Sequence, residues 1–571
     1  MLSKNCVGAG LRPARRPRGS TLRAGLKPAP TALVIALLIF AVSGTCQAGK
    51  FYPDDPLTQD VDKQDASMVK PWKIDLAYDF VENLFLKPGD KTQNVRAQDI
   101  NTIDEVPDSN WYRNHKSILT PEDVKKGPDT TNGPAPGKWT IIGAKSDGVT
   151  PGFTIRDSEG QRWFIKFDPP DFPAMATGTE VAVTKLFWAL GYHVPENHLA
   201  VLQLENLTID KEAEINPPSG NKRAMKLSDV RRLLSLAGQN PDGTYRVVAS
   251  KALPGKPLGG FRFYATRPDD PNDIIPHEHR RSLRGYGAFA AWLNHVDSKS
   301  INSLDVLVSE NGRSMVRHYL LDFGATLGSG SLHPHEHWEG YESLYEGHGN
   351  VGQNALKLGF PIERWRRIPF YEAKSIGRFP MDNRSWDPDS WVPREPNPAF
   401  LRSRPDDKFW AARKLMALSK DVIAAAIQAG QFHDAKSEEF LINALIERKE
   451  AIGRKYLTAV NPIVDPQLGA DGVLRFSNAA LENGFASATQ QYQAVWYRLD
   501  NESGRTEKLG QSVADQPALK APAGWPLEQG TFLKIEIAAQ HDSFTAWQVP
   551  VSIYFRKTGE GWKLAGIERL P

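Results

Sequence analysis

The sequence contains almost no cysteine. Its 571 residues include two, Cys6 and Cys46, and both lie within the first 48 residues. A disulfide framework and a cysteine-based zinc site are therefore excluded for the rest of the chain, which must be stabilised by its own packing. The chain is also too long for one compact core, so we expect two or three domains.

A strong excess of charge of either sign is missing as well. Lys and Arg number 70, and Asp and Glu number 67. The first 48 residues hold seven of the basic side chains and no acidic one, which leaves 63 basic against 67 acidic side chains, a balance of −4. Nucleic-acid-binding proteins carry a basic patch or stripe, so we expect no nucleic-acid partner.

Long apolar runs are absent apart from Ala32 to Val42. Basic residues precede this run and small residues follow it as far as Ala48, an order typical of a secretory signal, and the run is too short to span a bilayer comfortably. We expect residues 1–48 to be a signal peptide and the bacterial protein to be exported, periplasmic or extracellular, with no membrane span in the mature chain. An uncleaved N-terminal anchor is the alternative.

The remaining pattern first indicates an arm and then a region of strands. Residues 49–137 are rich in Asp, Asn, Pro and Lys, which favours an extended arm with a helix or two, one of them over "KIDLAYDFVENLFL". Within residues 138–210, strand-like alternation over 138–167 is followed by a helix over "TGTEVAVTKLFWALGY" and then by a further strand.

The second half of the chain becomes helical and then returns to strands. Residues 211–465 begin with a polar insertion to about residue 243 and include a β-hairpin whose turn is Asn311-Gly312. Residues 466–571 alternate in short runs broken by Gly, Asn and Pro, the profile of a separate β-sandwich.

Five features of the chain then stand in a row. In order they are a turn with three glycines, a lysine that ends a strand, a glutamate in the next helix, the loop "HVDSKSIN", and a triplet after the hairpin: Gly143, Gly148 and Gly152; Lys166; Glu180; His295–Asn302; Asp322-Phe323-Gly324. This order resembles the protein-kinase-like superfamily, over about residues 138–330 and closest to its atypical bacterial and secreted members. The resemblance implies an α+β, two-lobed protein-kinase-like fold with an N-terminal extension and the C-terminal β-sandwich.

The resemblance also implies how a nucleotide would be held. Lys166 would contact the α- and β-phosphates of ATP, and Glu180 would be its buried partner. A lysine at the edge of a sheet is the alternative for Lys166. A first-turn residue favoured by the helix dipole is the alternative for Glu180. The three glycines would cover the phosphates, although they lack the usual G-x-G-x-x-G spacing and a plain hairpin explains them equally well.

In the loop, Asp297 matches the catalytic aspartate and Lys299 a lysine that neutralises the transferred phosphate. By the same resemblance Asn302 and Asp322 would bind Mg2+ or Mn2+, and His295 would hold the loop's backbone. An Asp/Asn-rich turn is the alternative for the loop as a whole. No Ala-Pro-Glu follows Asp322, so the acceptor cannot be inferred from the better-known kinases.

We therefore expect an ATP-dependent, kinase-like phosphotransferase that acts on a protein, glycan or small-molecule hydroxyl. Two alternatives are a pseudokinase-like binding protein and a metal-dependent hydrolase. The hydrolase would use the cluster His333, His335 and His337, with His348 nearby, because alternate histidines can bind zinc. The C-terminal domain would contact a protein or glycan partner.

Overall fold

The computed structural model of the protein describes residues 49–144, 151–216, 221–344 and 364–570. Residues Phe51–Pro571 form one compact unit, which contains every element given below. Helices and several β-sheets are mixed along it, so the fold is of the expected α+β class. No helix in the described parts of the chain is long and apolar enough to cross a bilayer.

The N-terminal arm contains two short helices. Helix α1 (Leu76–Val81) continues as a π-helical turn over Glu82–Leu86, and α2 spans Pro121–Lys126. Asp75 begins α1 because its side chain accepts from the first backbone amides of the helix. Much of the arm lies on the body of the protein; the Trp111 ring, for example, stacks on that of His318 at 3.5 Å.

The next region forms one mixed sheet of seven strands, in the order β4-β7-β3-β2-β1-β5-β6. Its elements, in chain order, are β1 Trp139–Ala144, β2 Gly152–Arg156, β3 Arg162–Phe167, α3 Met175–Ala189, β4 Asn197–Leu202, β5 Leu207–Ile215, β6 Arg223–Ala224, α4 Leu227–Leu234 and β7 Tyr245–Lys251. The strands pair antiparallel, except that β1 and β5 run parallel.

The polar insertion expected over residues 211–243 belongs partly to this sheet. The expected boundary at residue 210 falls inside β5, and β7 extends the sheet to Lys251. Val230 and Leu234 of α4 are buried in the same core as the inner face of β3. Their spacing of four residues gives a helix one apolar side, which is enough to pack it on the sheet despite its many charges.

The middle of the chain is mostly helical. Its elements are β8 Lys256–Gly259, α5 Arg281–Leu293, β9 Ser303–Glu310, β10 Arg313–Leu320, β11 Phe370–Ala373, β12 Gly377–Pro380, α6 Pro398–Leu401, α7 Pro405–Met416, α8 Lys420–Ala429 and α9 Ala435–Thr458. β9 and β10 pair in full register, and Asn311 and Gly312 both have positive φ, of 52° and 75°. The predicted hairpin is therefore confirmed, with the turn conformation that Asn-Gly favours.

The C-terminal region consists mainly of two antiparallel sheets. Its elements are β13 Ile463–Leu468, β14 Val473–Asn478, α10 Ala479–Glu482, β15 Gln491–Leu499, β16 Thr506–Ala514, β17 Ala518–Lys520, β18 Phe532–Gln540, β19 Val551–Thr558 and β20 Gly561–Glu568. One sheet has the order β13-β14-β17 and the other β16-β15-β18-β19-β20. Apolar side chains of both sheets join those of α5, α7 and α9 in one continuous core.

Candidate active site

Lys166, near the end of β3, lies between two carboxylates. Its Nζ is 3.2 Å from Glu180 Oε2 and 2.9 Å from Asp322 Oδ1. Burial alone would lower the pKa of Lys166, but Asp322 and Glu180 outweigh burial and raise it above its ordinary value. The ammonium group therefore stays charged. The edge-strand alternative for this lysine is wrong, because β3 has β2 on one side and β7 on the other.

Glu180 connects α3 to the segment that follows β10. The residue is only 2% exposed. Its Oε1 accepts from the backbone amide of Phe323 at 3.1 Å and from Asn197 Nδ2 at 3.3 Å, while Oε2 faces Lys166. The helix begins at Met175, so Glu180 lies in its second turn. The alternative role as a first-turn residue is therefore wrong.

The position of α3 relative to β3 is fixed by Asp168, which sequence reasoning did not single out. Its Oδ1 accepts from the backbone amides of Ala176 and Thr177 at 2.9 Å, and its Oδ2 accepts from Thr177 Oγ1 at 2.6 Å. Asp168 follows Lys166 by two residues and satisfies amides of the first helical turn, which have no partner within the helix. It thus holds the start of α3 beside the strand that carries Lys166.

Asp322 is the more open of the two partners of Lys166, with 39% of its side chain exposed. Its φ is 57°, a left-handed conformation that aspartate adopts more easily than most residues. Phe323 is fully buried and stacks on Phe187 of α3 with ring centroids 4.9 Å apart. At Gly324, a Cβ would come within 3.2 Å of Glu180 Oε2, so a larger residue there would press on the carboxylate.

Asp297 lies in the loop between α5 and β9. Its Oδ2 accepts from Asn302 Nδ2 at 2.8 Å, and its Oδ1 is 2.8 Å from Lys299 Nζ. Burial alone would raise the pKa of Asp297, but Lys299 and the nearby Arg394 lower it below its ordinary value. The backbone amide of Leu321 donates to Asn302 O at 2.9 Å, which connects this loop to the residue before Asp322.

His295 is fully buried at the start of the same loop. Its Nδ1 lies 2.7 Å from Thr326 Oγ1, and its ring is 5.8 Å from the ring of Phe323. Burial lowers the pKa of His295 to about 4, so the imidazole is neutral at ordinary pH. These contacts connect the loop to the segment after Asp322.

Arg394 and Glu339 also belong to this neighbourhood, and no sequence pattern indicated them. Arg394 Nη1 is 3.9 Å from Asp297 Oδ1, and its backbone amide donates to Val296 O at 2.9 Å. Its Nε donates to the buried Glu339. Arg394 is nearly a hundred residues from the loop in the sequence, so only the tertiary structure reveals the contact.

The three glycines of the turn are divided by the limits of the described structure. Gly143 lies in β1, and a Cβ there would meet only the carbonyl of Glu214 at 3.9 Å, an ordinary contact. Gly152 begins β2 and is the cross-strand partner of Lys166. Gly148 lies outside the described residues.

Within the described part of the chain, His333, His335 and His337 do not form a group with metal-ligand spacing. His335 is buried, with Nδ1 3.2 Å from Asn294 Nδ2, and burial lowers its pKa to about 4. His333 and His337 are about half exposed, and His348 lies outside the described residues. Within the described residues, one group of three side chains has metal-ligand spacing: Asp129, Glu196 and His198. Lys185 and Lys251 already pair with its two carboxylates.

Space beside Lys166 is small. The cavity that touches Lys166, Glu180 and Asp322 has a volume of about 10 Å3, enough for roughly one water molecule. A larger cavity of about 320 Å3 adjoins the loop of Asp297 and is lined partly by Asn397, whose Nδ2 donates to Ser298 O at 3.1 Å. Any ligand larger than water would have to lie on the solvent side of Asp322 or displace this carboxylate from Lys166.

Comparison with known proteins finds similar chains among the solved structures, and two of them are kinases by description. No family model and no curated protein matches the chain. The Helicobacter pylori proinflammatory kinase CtkA is 12% identical over 55% of this chain and 97% of its own, with a TM-score of 0.27. The Golgi casein kinase is 11% identical over 70% of this chain and 96% of its own, with a TM-score of 0.28. Both are kinases by description, but likenesses this distant carry no argument about activity, which depends on the contacts within the site.

Proposed function

We propose that the protein is an exported, kinase-like phosphotransferase that moves the γ-phosphoryl group of ATP to a hydroxyl. The observation that carries the proposal is the convergence on Lys166 of a helix carboxylate and of Asp322. A strand, a helix and the segment after a hairpin each supply one charge. Beside them, the loop of Asp297 is held by a backbone hydrogen bond next to Asp322.

The residues fit Mg2+ or Mn2+, which prefer hard oxygen ligands. Asp322 offers a partly exposed carboxylate. Asn302 must turn its NH2 group towards Asp297, because both of its contacts there are oxygens that can only accept. This orientation leaves the amide oxygen of Asn302 for a metal. When bound, the triphosphate would supply the phosphoryl group, and the metal would neutralise charge that develops during transfer.

The protein's own contribution is positioning and charge. Lys166, kept charged by its carboxylates, would bind phosphate oxygens, and Glu180 would hold it in place. Asp297 is ionised at neutral pH and would accept the proton of the attacking hydroxyl as the new P–O bond forms and the bond to ADP breaks. Lys299, 2.8 Å from Asp297, would neutralise charge on the transferred group.

The remaining parts of the proposal concern place and partners. Residues 1–48 would direct export and residues 49–137 would form an N-terminal extension. The seven-stranded sheet from Trp139 to Lys251 and the helical region that follows it would correspond to the two lobes of a kinase-like fold. The two C-terminal sheets, which begin at Ile463 rather than at the expected residue 466, would act as a β-sandwich that contacts a protein or glycan.

A nucleotide-dependent thermal shift tests the proposal. With Mn2+ and ATP we expect the melting temperature of the wild-type protein to rise, and we expect Asp322→Asn to lose the rise. Asp515→Asn, an exposed residue of the C-terminal region, is the matched control and should keep it. Equal melting of the wild-type protein with and without Mn2+ and ATP would contradict the proposal.

A second candidate is a pseudokinase-like binding protein. The small cavity beside the direct Lys166–Asp322 contact favours it, because a resting ion pair there occupies the space that phosphates would need. Release of ADP and labelling of an acceptor from ATP labelled at the γ-phosphate would separate the two. The hydrolase alternative requires a metal shared by His333, His335 and His337, which do not form such a group in the described structure, so only zinc in the purified protein that is lost in His335→Asn would restore it.

A further inference from the structure

Helix α1 and its π-helical turn bury polar residues and expose apolar ones. The buried residues of these two segments are Asp79 and Asn83, which are 2% and 5% exposed. Val81 and Phe85 of the same segments are 48% and 56% exposed. Helices on the surface of soluble proteins have the reverse arrangement. Departures from such a rule are expected at functional sites, where a contact that the chemistry needs outweighs its cost in stability.

Asp79 contacts the loop of Asp297 directly. Its Oδ2 accepts from Ser300 Oγ at 2.7 Å, and Ser300 is itself 2% exposed. Ser300 begins the short 3-10 turn that ends at Asn302. The contact therefore holds the loop between Asp297, the expected proton acceptor, and Asn302, the expected metal ligand.

Asn83 contacts a second segment that adjoins Asp297. Its Nδ2 donates to Oε1 of the buried Glu395 at 2.6 Å. Glu395 follows Arg394, whose Nη1 lies 3.9 Å from Asp297 Oδ1. The same Nδ2 is 3.4 Å from Asp79 Oδ2, so both residues lie on one side of the helical segment. That side thus holds the two stretches of chain that supply Asp297 and the arginine beside it.

These contacts place acidic side chains where the charged form is disfavoured. Burial raises the pKa of Asp79 and of Glu395 above their ordinary values, although the hydrogen bonds from Ser300 and Asn83 lower it in part. A raised pKa of a carboxyl group means that the folded state favours its ionised form less than water does. The two acids therefore cost stability, and a role in positioning the loop explains why polar residues occupy these sites.

We propose that α1 and its π-helical turn form a clamp that holds the loop of Asp297, with Asp79 and Asn83 as positioning residues for phosphoryl transfer. A proton acceptor must lie within hydrogen-bond distance of the attacking hydroxyl, and a displacement of about 1 Å can lower a rate by about 10²-fold. The consequence for the rate rests on the proposed function. The clamp itself is a contact within the chain, and it can be measured without turnover. Any event that releases α1 would switch off transfer while every catalytic side chain stays in the chain.

Hydrogen exchange of backbone amides tests the clamp. Asp79→Ala removes the acceptor of Ser300 Oγ, and Ser300→Ala removes the donor. In either variant we expect the amides of residues 296–303 to exchange about tenfold faster than in the wild-type protein, because a hydrogen bond to a carboxylate is lost. Val81→Ala, changed at an exposed position of the same helix, is the matched control and should exchange as the wild type does. Amides of β15 report whether the whole protein is destabilised, and their exchange should change less than that of the loop.

Rates then test whether the clamp positions Asp297. With Mn2+ and ATP, kcat for release of ADP should fall by about ten- to a hundredfold in Asp79→Ala and in Ser300→Ala. KM for ATP should change less, because Lys166 and Glu180 lie on β3 and α3 rather than on the loop. The double variant Asp79→Ala, Ser300→Ala should lose no more than either single variant, since the two residues form one contact.

Four results would overturn the proposal: unchanged exchange of the loop in Asp79→Ala, an equal rise in Val81→Ala or in β15, losses in kcat that multiply in the double variant, or faster exchange of the loop with unchanged kcat. If the wild-type protein releases no ADP and shows no thermal shift with Mn2+ and ATP, the proposed function fails, and the positioning role fails with it. Exchange of the loop still decides in that case whether α1 is a clamp.

Discussion

Two clusters of ion pairs in this protein have similar composition and very different surroundings. In the candidate active site, the side chains of Lys166 and Asp322 are 16% and 39% exposed. In the second cluster Arg281 of α5 is fully buried. Its Nε lies 2.9 Å from Asp407 Oδ1, and its Nη2 lies 2.9 Å from Asp406 Oδ2. One cluster can be reached from solvent and the other cannot.

The difference separates a structural role from a binding role. Every nitrogen of the Arg281 guanidinium has a carboxylate partner in the chain, since Nη1 is also 2.9 Å from Asp104 Oδ1. Such a cluster connects the arm, α5 and α7, and no ligand could gain from it. The partly exposed charges around Lys166 can exchange a partner for a ligand, which is what phosphate binding requires.

The largest effect is expected on the reaction rate, from a substitution in the candidate active site. Asp297→Asn should reduce the rate of phosphoryl transfer by about 10²- to 10⁴-fold, because the amide cannot accept the proton of the hydroxyl. Stability should change little, since Lys299 and Arg394 are partly exposed and keep their solvation. Initial rates with labelled ATP and urea unfolding measure the two effects. Unchanged rates would remove Asp297 from the mechanism.

A substitution in the buried Arg281 cluster should lower the free energy of unfolding. Arg281→Met leaves three buried carboxylates without their shared cation and should lower the free energy of unfolding by about 3–5 kcal/mol. Urea unfolding monitored by tryptophan fluorescence provides the measurement. A loss below about 1 kcal/mol would show that the cluster contributes little, and the contrast between the clusters would fail.

Low pH should reduce the stability of the folded protein through buried histidines near the candidate active site. Burial lowers the pKa of His295 and of His335 to about 4, whereas an unfolded histidine titrates near 6.5. Between pH 6.5 and 4 the unfolded chain binds more protons, so stability falls as the pH falls, by about 1.4 kcal/mol per unit for each histidine. Burial also lowers the pKa of His193 to about 4, so in His335→Gln we expect the dependence to fall by about a third, measured by urea unfolding at pH 7, 6 and 5. A slope equal to that of the wild type would contradict burial of a neutral His335.

The smallest effect is expected at an exposed pair. Arg384, with 85% of its side chain exposed, lies 2.7 Å from Glu447. Arg384→Ala should change the free energy of unfolding by less than about 0.5 kcal/mol, because solvent screens the pair. The urea midpoint measures it beside Arg281→Met. A loss above about 1 kcal/mol would show that the exposure of an ion pair does not determine how much it contributes to stability.

Much of the site could be located from local pattern. Strand alternation put Lys166 on the face opposite Ile165 and Phe167, helical spacing put Glu180 on the packed side of its helix, and Asn311-Gly312 marked the hairpin before Asp322. These signals are local, because backbone periodicity is set by neighbouring residues. The extent of the sheet was misjudged over residues 211–243, where a charged helix packs through only a few apolar residues.

By itself the sequence determined which residue types stand at which intervals, and so the lysine, the carboxylates and the asparagine that chemistry would need. Only the tertiary structure decided that Arg394 approaches Asp297 and that α1 turns Asp79 and Asn83 inward. The physical reason is distance along the chain. A contact between residues about a hundred or more positions apart depends on how whole elements pack, and no local periodicity encodes it.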